Sequence, residues 1–253
     1  MAQHLRVVVA LVLREMGARF GRSEGGYLWA IIEPLGGITM IAIVATLALR
    51  TPPLGTSFML FYASGIIPFS TFRSMSSGVG KAISSNRGLL AYPVVTAIDA
   101  VLAKFVLIQM TQVVIAVLLF TGIIWGAGVY VNLDLGTAAL AMMLAGLLGL
   151  GIGTLNCVLM GFFPTWKNVW SVVTRPLLFV SGVLHTYEAA PPTFQSILWW
   201  NPLVHIVGVM RTGFYGTYDS SYVSYPYVLG ISLGSFVIGA YLLRRHASFL
   251  IEQ

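Results

Sequence analysis

The chain has 253 residues, of which 57% are hydrophobic and only 9% are charged. A soluble globular protein carries about 25% charged residues, so this chain has too few to cover a surface in water. The composition excludes a soluble enzyme, a free nucleic-acid-binding protein and a disordered chain. The formal net charge of +6 does not indicate nucleic acid, because excess Lys and Arg in a membrane protein mainly set its orientation. A single cysteine excludes a disulfide framework and a CxxC metal site.

Residues 1–26 are predicted to form an amphipathic helix on the cytoplasmic membrane surface. They are too polar to span a bilayer and too apolar for a solvated tail, and most of their apolar side chains share one helical face. This pattern is typical of a helix that lies in the plane of the interface. The alternative interpretation is a helix that only anchors the chain.

Six later stretches are predicted to cross the membrane, since a spanning helix needs about 20 mostly apolar residues. Prolines mark most of the connections between them. The chain is therefore predicted to be an all-α polytopic membrane protein that forms one transmembrane domain over residues 1–253. The predicted spans are residues 27–49, 58–77, 97–125, 137–161, 169–187 and 226–243.

Basic residues predict the orientation of these spans. With the N-terminus in the cytoplasm, nine basic residues outside the span ends lie on the inner side, and only Arg50 and Arg211 lie on the outer side. Cytoplasmic loops carry the excess of Lys and Arg, so both termini are predicted to be cytoplasmic.

Polar residues inside the second and fifth spans predict a polar path through the membrane. Intramembrane polar side chains usually face the bundle interior or water. For Arg175 the alternative is that its side chain extends to the cytoplasmic surface. The candidates for the path are Ser70, Arg73, Ser74, Ser77, Ser171 and Arg175.

Aromatic residues cluster where the fourth and fifth spans meet the cytoplasm. They are Phe162, Phe163, Trp166 and Trp170. An aromatic belt at the membrane interface is the usual explanation. The sharper hypothesis gives Phe163, Trp166 and Trp170 a role in stacking against sugar rings at the mouth of a canal.

Residues 188–225 form an unusual outer loop with two apolar pieces, 197–200 and 203–210, broken by Asn201-Pro202. Eight helical residues extend only about 12 Å, so neither piece can cross a membrane. A re-entrant helical hairpin from the outer side is predicted, with its broken backbone buried in protein or facing water. The alternative is a surface loop anchored by Trp199 and Trp200.

Nucleotide, metal and acid–base motifs are not found in the sequence. The one Gly-Lys pair, Gly80-Lys81, is followed by Ala82 and so does not make a phosphate-binding loop. The four histidines have no ligand spacing, and no close carboxylate pair is present. Gly149, Gly151 and Gly153 lie in an apolar span, where small residues permit close helix packing. The chain is predicted to be no enzyme and to hold no cofactor or metal.

Four places along the chain carry a recognisable set of residues in order. They are Leu13-Arg14-Glu15 with Arg19-Phe20-Gly21 and Gly26-Tyr27-Leu28-Trp29-Ala30-Ile31-Ile32-Glu33-Pro34, then Gly65-Ile66-Ile67-Pro68-Phe69, then Asn86-Arg87-Gly88-Leu89-Leu90-Ala91-Tyr92 followed by Asp99, and Leu198-Trp199-Trp200-Asn201-Pro202-Leu203-Val204-His205. With them the chain resembles the membrane subunits of type-2 ABC exporters, and most of all the capsular-polysaccharide branch, the KpsM family.

The resemblance implies six transmembrane helices, an interface helix before them, and short re-entrant helices between the fifth and sixth spans. It implies a homodimer in the bacterial inner membrane, bound to two copies of a separate ATPase subunit that holds ATP and Mg. The implied substrate is a long, lipid-linked, acidic capsule polymer that crosses through a canal between the protomers. A periplasmic co-polymerase-type adaptor and an outer-membrane channel are expected beyond it.

Two further roles are hypothesised from the resemblance. Contact with the ATPase is assigned to the interface helix and the first cytoplasmic loop, and an outer gate to the re-entrant hairpin. The coupling candidates are Arg14, Glu15, Arg19, Asn86, Leu89, Leu90 and Tyr92, and the gate candidates are Trp199, Trp200, Asn201, Pro202 and His205.

Other functions stay open at this point. Export of O-antigen or teichoic acid is close to capsule export, and small-molecule export is further away. A membrane-embedded enzyme on lipid-linked sugars would have to use Glu33, Asp99 and His185, which lie on different spans, whereas acid–base chemistry needs groups near one substrate. A passive channel would differ from all of these in needing no ATPase.

Overall fold

The structure, a computed structural model, describes residues 2–20, 25–49, 51–90 and 95–246. Within these ranges all regular structure is helical and no strand is present, so the all-α prediction is confirmed there. The helices are α1 Ala2–Phe20, α2 Gly25–Ala48, α3 Phe58–Gly80, α4 Ala82–Leu90, α5 Ala97–Ala127, α6 Leu135–Phe162, α7 Trp166–Val180, α8 Pro192–Leu198, α9 Pro202–Phe214 and α10 Tyr225–Arg245.

The six predicted spans correspond to α2, α3, α5, α6, α7 and α10. Among the described residues, α5, α6 and α10 are each long and apolar enough to cross a membrane, and α2 contains a shorter apolar stretch, Ile32–Leu47. The fifth span, predicted over 169–187, differs most, because α7 already ends at Val180. Gly182 follows with a φ of 68°, a left-handed conformation that ends a helix. Residues 181–191 therefore form turns and loop instead of helix.

The helices run back and forth between two ends of the bundle. We call the end that carries α1 and α4 the basal end, and the end that carries α8 and α9 the hairpin end. Helix α3 is central, since it packs against α2, α5, α6 and α9, and α6 packs against α3 and α10. The core contains Phe61, Ile67 and Met75 of α3 and Leu148 of α6, all almost fully buried.

Glycines of α6 allow two neighbouring helices to approach it closely. A Cβ atom at Gly149 would lie 2.5 Å from the Cβ of Met75, and one at Gly153 would lie 2.8 Å from the Cβ of Val79. On the α10 side, a Cβ at Gly151 would overlap the carbonyl oxygen of Ser232. The packing interpretation of these glycines is confirmed.

The hairpin end has a buried helix where the sequence predicts a re-entrant piece. Helix α9 lies against α3 and α6, and most of its residues are buried. Its Arg211 is 1% exposed; Nη1 donates to the His185 carbonyl at 3.0 Å and Nη2 to the Val183 carbonyl at 3.1 Å. The guanidinium carbon also lies 4.4 Å from the centroid of the Phe61 ring. A buried charge is tolerated when it is bonded in this way, and the bonds fix the loop after α7 to α9.

We expect Gly151→Ala to destabilise the protein, by roughly 1–3 kcal/mol as for other overpacked sites. The neighbouring carbonyl of Ser232 belongs to the backbone and cannot turn aside. Gly230→Ala is the matched control, because a Cβ at Gly230 meets no atom within 4 Å. Thermal unfolding in detergent can be followed with a thiol-reactive dye, because Cys157 is buried and is the single cysteine of the chain. An unchanged transition for Gly151→Ala would contradict the packing.

Candidate functional site

A cavity of about 710 Å³ lies between α2, α3, α5 and α7, and we call it the central cavity. Three charged side chains line it: Glu33 of α2, Arg73 of α3 and Arg175 of α7. They carry a net charge of +1. The other polar residues that line it are Ser70, Ser74, Ser77, Thr111, Gln112 and Thr174.

The α3 residues of the central cavity occupy one face of their helix. Ser70, Arg73, Ser74 and Ser77 stand at positions i, i+3, i+4 and i+7, a spacing that aligns side chains on one side of an α-helix. The opposite side of α3 is buried against α6. Packing of α3 on α6 thus turns the polar face toward α2, α5 and α7.

Some hydroxyl groups of the central cavity are bonded to their own helices. Ser70 donates to the Ile67 carbonyl at 2.8 Å, and Thr111 donates to the Leu107 carbonyl at 2.8 Å. Six other side chains have no hydrogen-bond or ion-pair partner among the described residues, so their bonding capacity is open to water or a ligand. These six are Glu33, Arg73, Ser74, Ser77, Gln112 and Arg175.

Each of the three charges lies well inside its helix. At 1.5 Å per residue, Glu33 is about 12 Å along α2 from Gly25, Arg73 about 10 Å along α3 from Gly80, and Arg175 about 14 Å along α7 from Trp166. All three side chains are exposed in the single chain. A charge facing lipid at such depth costs about 2.5–3.5 kcal/mol. The open side of the cavity therefore needs a polar cover, such as water or another protein surface.

Five of the residues predicted to line a path do line this cavity: Ser70, Arg73, Ser74, Ser77 and Arg175. Ser171 is exposed on α7 and lies outside the lining.

The aromatic residues predicted at the canal mouth do not line the central cavity. Trp166 donates through Nε1 to Oδ1 of Asn156 at 2.9 Å, and Trp170 packs edge-on against Phe72 with ring centroids 6.5 Å apart. Phe163 caps the end of α6 and is exposed. Trp166 and Trp170 therefore hold α7 to α6 and α3.

Sequence reasoning missed several polar residues of the central cavity. Glu33 is predicted only as a catalytic candidate, and Thr111 and Gln112 are not assigned to the path. The signal for Gln112 was present, because an amide inside an apolar span seldom faces lipid. Its side chain is 9% exposed and opens on the cavity.

A second cavity of about 500 Å³ lies at the basal end, and we call it the basal cavity. It shares Ser74 and Ser77 with the central cavity, so the two adjoin along α3. Its lining residues are Arg14, Glu15, Ser74, Ser77, Gly78, Lys81, Ser85, Asn86, Lys104 and Ile108.

A polar joint in the wall of the basal cavity connects α1 with α4 and α5. Arg14 Nη1 donates to Asn86 Oδ1 at 3.1 Å, and Asn86 Nδ2 donates to Glu15 Oε1 at 2.9 Å. Lys104 Nζ lies 2.8 Å from the same Glu15 oxygen. Asn86 interrupts α4 with non-helical φ and ψ of −122° and 16°. This break places an amide where it can bond to both residues of α1.

A second connection holds the start of α1. His4 Nδ1 lies 3.1 Å from Oδ1 of Asp99. Asp99 also closes a capping box with Thr96 at the start of α5. Helix α1 is thus fixed to α5 near both of its ends.

The predicted coupling residues divide by burial. Glu15, Asn86 and Leu90 are buried within the chain and Leu89 is half-buried, whereas Arg14 and the neighbouring Arg87 are exposed. A partner protein can contact the exposed side chains directly, whereas the buried ones lie within the chain. The Arg19 side chain and Tyr92 lie outside the described residues.

The predicted gate residues form a bonded cluster at the hairpin end. The Ser224 N–H donates to His205 Nδ1 at 3.1 Å, and His205 Nε2 donates to the Trp199 carbonyl at 2.8 Å. These two partners fit the neutral imidazole with its hydrogen on Nε2. Trp199 stacks on Tyr227 with centroids 5.0 Å apart. The cluster joins the α8–α9 turn to the start of α10.

Asn201 connects this cluster to α7. Its Nδ2 donates to the Val180 carbonyl at 3.0 Å, and its Oδ1 accepts from the Leu203 N–H at 3.0 Å as the N-cap of α9. Pro202 is the first residue of α9, where its missing N–H is harmless. Trp200 is exposed. A movement of the hairpin would therefore also move the end of α7.

Comparison with known proteins agrees with the resemblance read from the sequence. Residues 6–215 match the family described as ABC-2 type transporter. The chain is 36% identical over 248 residues to the polysialic acid transport protein KpsM of Escherichia coli, covering 97% of this chain and 95% of the relative. It is 26% identical over 250 residues to the capsule polysaccharide export inner-membrane protein CtrC of Neisseria meningitidis serogroup A, covering 98% and 94%. BexB of Haemophilus influenzae, a capsule polysaccharide export inner-membrane protein, is also 26% identical over 250 residues, with the same coverage.

The relatives and the helices together give the location of the chain. Two of these relatives are named inner-membrane proteins, and the structure has several helices apolar enough to span a bilayer. The chain is a multi-pass inner-membrane protein, as predicted.

We expect cysteines in the central cavity to react with a water-soluble thiol reagent. In a Cys157→Ala background, Ser74→Cys should react faster than Ser76→Cys by roughly an order of magnitude, since a buried thiol is inert. Ser76 is the matched control because it lies two residues away on α3 and is 0% exposed. Labelling in membranes, read by mass spectrometry, checks this. Equal rates at the two positions would contradict an open polar cavity.

Proposed function

Because the chain belongs to the ABC-2 type transporter family, we propose that it is the membrane subunit of an ATP-driven exporter of lipid-linked capsular polysaccharide. Two copies of the chain would form a canal across the inner membrane. Two copies of a separate ATPase subunit would bind ATP and Mg and supply the energy. A periplasmic adaptor and an outer-membrane channel would carry the polymer onward. The names of the relatives, which export capsule polysaccharide or transport polysialic acid, support this substrate class.

The central cavity is the observation that carries the proposal. It brings Glu33, Arg73 and Arg175 to one open side of a largely apolar bundle. A second copy of the chain, placed against that side, would cover these charges and enclose a polar path. Both termini are proposed to be cytoplasmic, so that the basal end faces the ATPase.

The chemistry of the central cavity suits an acidic sugar polymer. A guanidinium group binds a carboxylate through charge-assisted, often paired, hydrogen bonds. Serine hydroxyls and the Gln112 amide can exchange bonds with sugar hydroxyls. Glu33 lowers the net positive charge and so limits how tightly an anion is held. Transport requires this balance, because a site must bind well enough to admit its substrate and weakly enough to release it.

Coupling to the ATPase is proposed to pass through the polar joint. The exposed Arg14 and Arg87 would contact the ATPase, and Asn86 and Glu15 would carry the movement of α1 to α4. A single residue, Lys81, separates α4 from α3, so a tilt of α4 would displace the end of α3 that carries Ser74 and Ser77. A partner can shift such an equilibrium only by binding one conformation better than the other.

The cluster at the hairpin end is proposed to close the outer end of the canal. Trp199, Asn201 and His205 tie α9 to α7 and α10, so the closed arrangement is held by several bonds. Opening would require these bonds to break together with a movement of α7. The cluster would keep ions from leaking through a resting canal.

Deletion of the gene in its host tests the function as a whole. We expect long acidic polysaccharide to accumulate inside the cell while the surface loses it, because synthesis continues without an exit. Fractionation followed by sugar analysis gives the location and the chemistry of the polymer. Normal surface polysaccharide would overturn the capsule assignment and favour export of a small molecule.

Replacement of the cavity arginines tests the canal. We expect Arg73→Ala and Arg175→Ala each to reduce export roughly tenfold, since one lost charge-assisted bond is worth about 1.5–3 kcal/mol. The lysine variants should retain part of the activity. Arg245→Ala is the control, because this arginine is exposed at the end of α10 and does not line the cavity. Normal export by both alanine variants would rule out this role.

Replacement of Asn86 tests the coupling. Asn86→Ala removes the bonds to Arg14 and Glu15, and we expect the reconstituted complex to bind its ATPase subunit but to export much less polymer per ATP hydrolysed. Ser84→Ala, an exposed change on the same helix, should behave as wild type. Unchanged coupling in Asn86→Ala would mean that the joint transmits no force.

A further inference from the structure

The basal cavity has an excess of positive charge. Arg14, Lys81 and Lys104 line it together with a single carboxylate, Glu15, giving a net charge of +2. Glu15 already accepts from Lys104 and Asn86 through one oxygen. Lys81 has no side-chain partner among the described residues. Its ammonium group is therefore free to meet an anion.

Neighbouring cations leave Lys81 in an unfavourable environment. Partial burial lowers the pKa of Lys81, and the positive charges of Lys167 and Lys104 lower it further. A bound anion would relieve this repulsion and favour the protonated amine.

Other side chains of the basal cavity add the remaining groups of an oxyanion site. The hydroxyls of Ser74 and Ser77 are unbonded within the described part of the chain and can donate to phosphate oxygens. Glu15 Oε2 is buried and has no hydrogen-bond partner there. A small rotation of the carboxylate would present this oxygen as an acceptor for a hydroxyl next to the anion. The volume of about 500 Å³ lies within the usual range of small-ligand sites, about 300–1,000 Å³.

From these features we propose that the basal cavity is a loading site for the phosphate of a lipid head group that carries a neighbouring hydroxyl, as a sugar or glycerol does. Lys81 is its main cation, and Ser74 and Ser77 are its neutral donors. The inference rests on the proposed function, since a lipid-linked substrate brings such a phosphate to the membrane surface. The shared serines place the bound phosphate at the start of the central cavity, where the polymer would follow it.

Binding of lipids to the full chain in nanodiscs tests the proposal. The probes are short-chain phosphatidylglycerol, short-chain phosphatidylcholine and inorganic phosphate, each added to phosphatidylcholine nanodiscs and measured by native mass spectrometry or calorimetry. We expect phosphatidylglycerol to bind and the other two to bind at least tenfold more weakly. Equal binding of phosphatidylcholine, or of inorganic phosphate alone, would overturn the head-group site.

Two lysine variants distinguish a site from general surface charge. We expect Lys81→Gln to weaken binding of phosphatidylglycerol about tenfold and Ser77→Ala about threefold. Lys167→Gln is the matched control, because it removes the same charge nearby from a residue that does not line the cavity, and it should change binding less than twofold. Equal losses of phosphatidylglycerol binding in both lysine variants would mean that binding depends only on the overall positive charge, and would overturn the site. Protection of Cys157 from thiol dye verifies that each variant is folded.

The source of the head group is decided by competition. A lipid-linked saccharide extracted from the host should displace phosphatidylglycerol from the wild-type chain if substrate is loaded here, whereas failure to displace it would assign the cavity to bulk phospholipid and overturn the loading role. The binding assay needs no export. If the deletion test refutes the proposed function, the lipid-binding result therefore still stands. Intact export by Lys81→Gln would refute the loading site alone.

Discussion

A polar side chain inside a bilayer must find a hydrogen-bond partner in the protein or remain in contact with water, because lipid offers neither donor nor acceptor. This constraint divides the polar residues of the bundle into two groups. Ser64, Ser70, Thr71 and Thr154 bond to carbonyl groups of their own helices. Six side chains around the central cavity, by contrast, have no hydrogen-bond or ion-pair partner among the described residues. They are gathered on one open side, which is why that side is the place where the chain must meet water, substrate or a second copy.

Two arginines illustrate the division. Arg211 is buried in α9, and its guanidinium donates to two carbonyls of the loop after α7. It therefore stabilises the fold and has few donors left for a ligand. Arg175 has no partner among the described residues and lines the central cavity. An arginine therefore stabilises the fold at the hairpin end. In the proposed function, another arginine binds substrate in the canal. The difference comes from the backbone that happens to surround each one.

Composition and helix periodicity predict the order of the helices and most of the polar face of α3. Ser70, Arg73, Ser74 and Ser77 follow the helical repeat within one helix, so local sequence is sufficient to group them. The predicted end of the fifth span is wrong, because the apolar sequence continues past Gly182. Only the turn at that residue ends α7. Glu33 was not assigned to the path, because its position depends on the opposite face of α2, with Ile38 and Ala42 buried in the core. Packing between helices decides such faces, and a single sequence does not reveal it.

The proposed loading and the proposed coupling to the ATPase would involve the same atoms at the basal end. Arg14, Glu15, Asn86 and Lys104 both fix α1 to the bundle and line the basal cavity. An anion bound there would compete with Glu15 for Lys104 and so change the strength of the joint. By linkage, any ligand that alters the joint alters the free energy of moving α1, and a partner that moves α1 alters the affinity of the cavity by the same factor. A transporter built in this way would couple ATPase engagement to the presence of a loaded head group without a separate sensor.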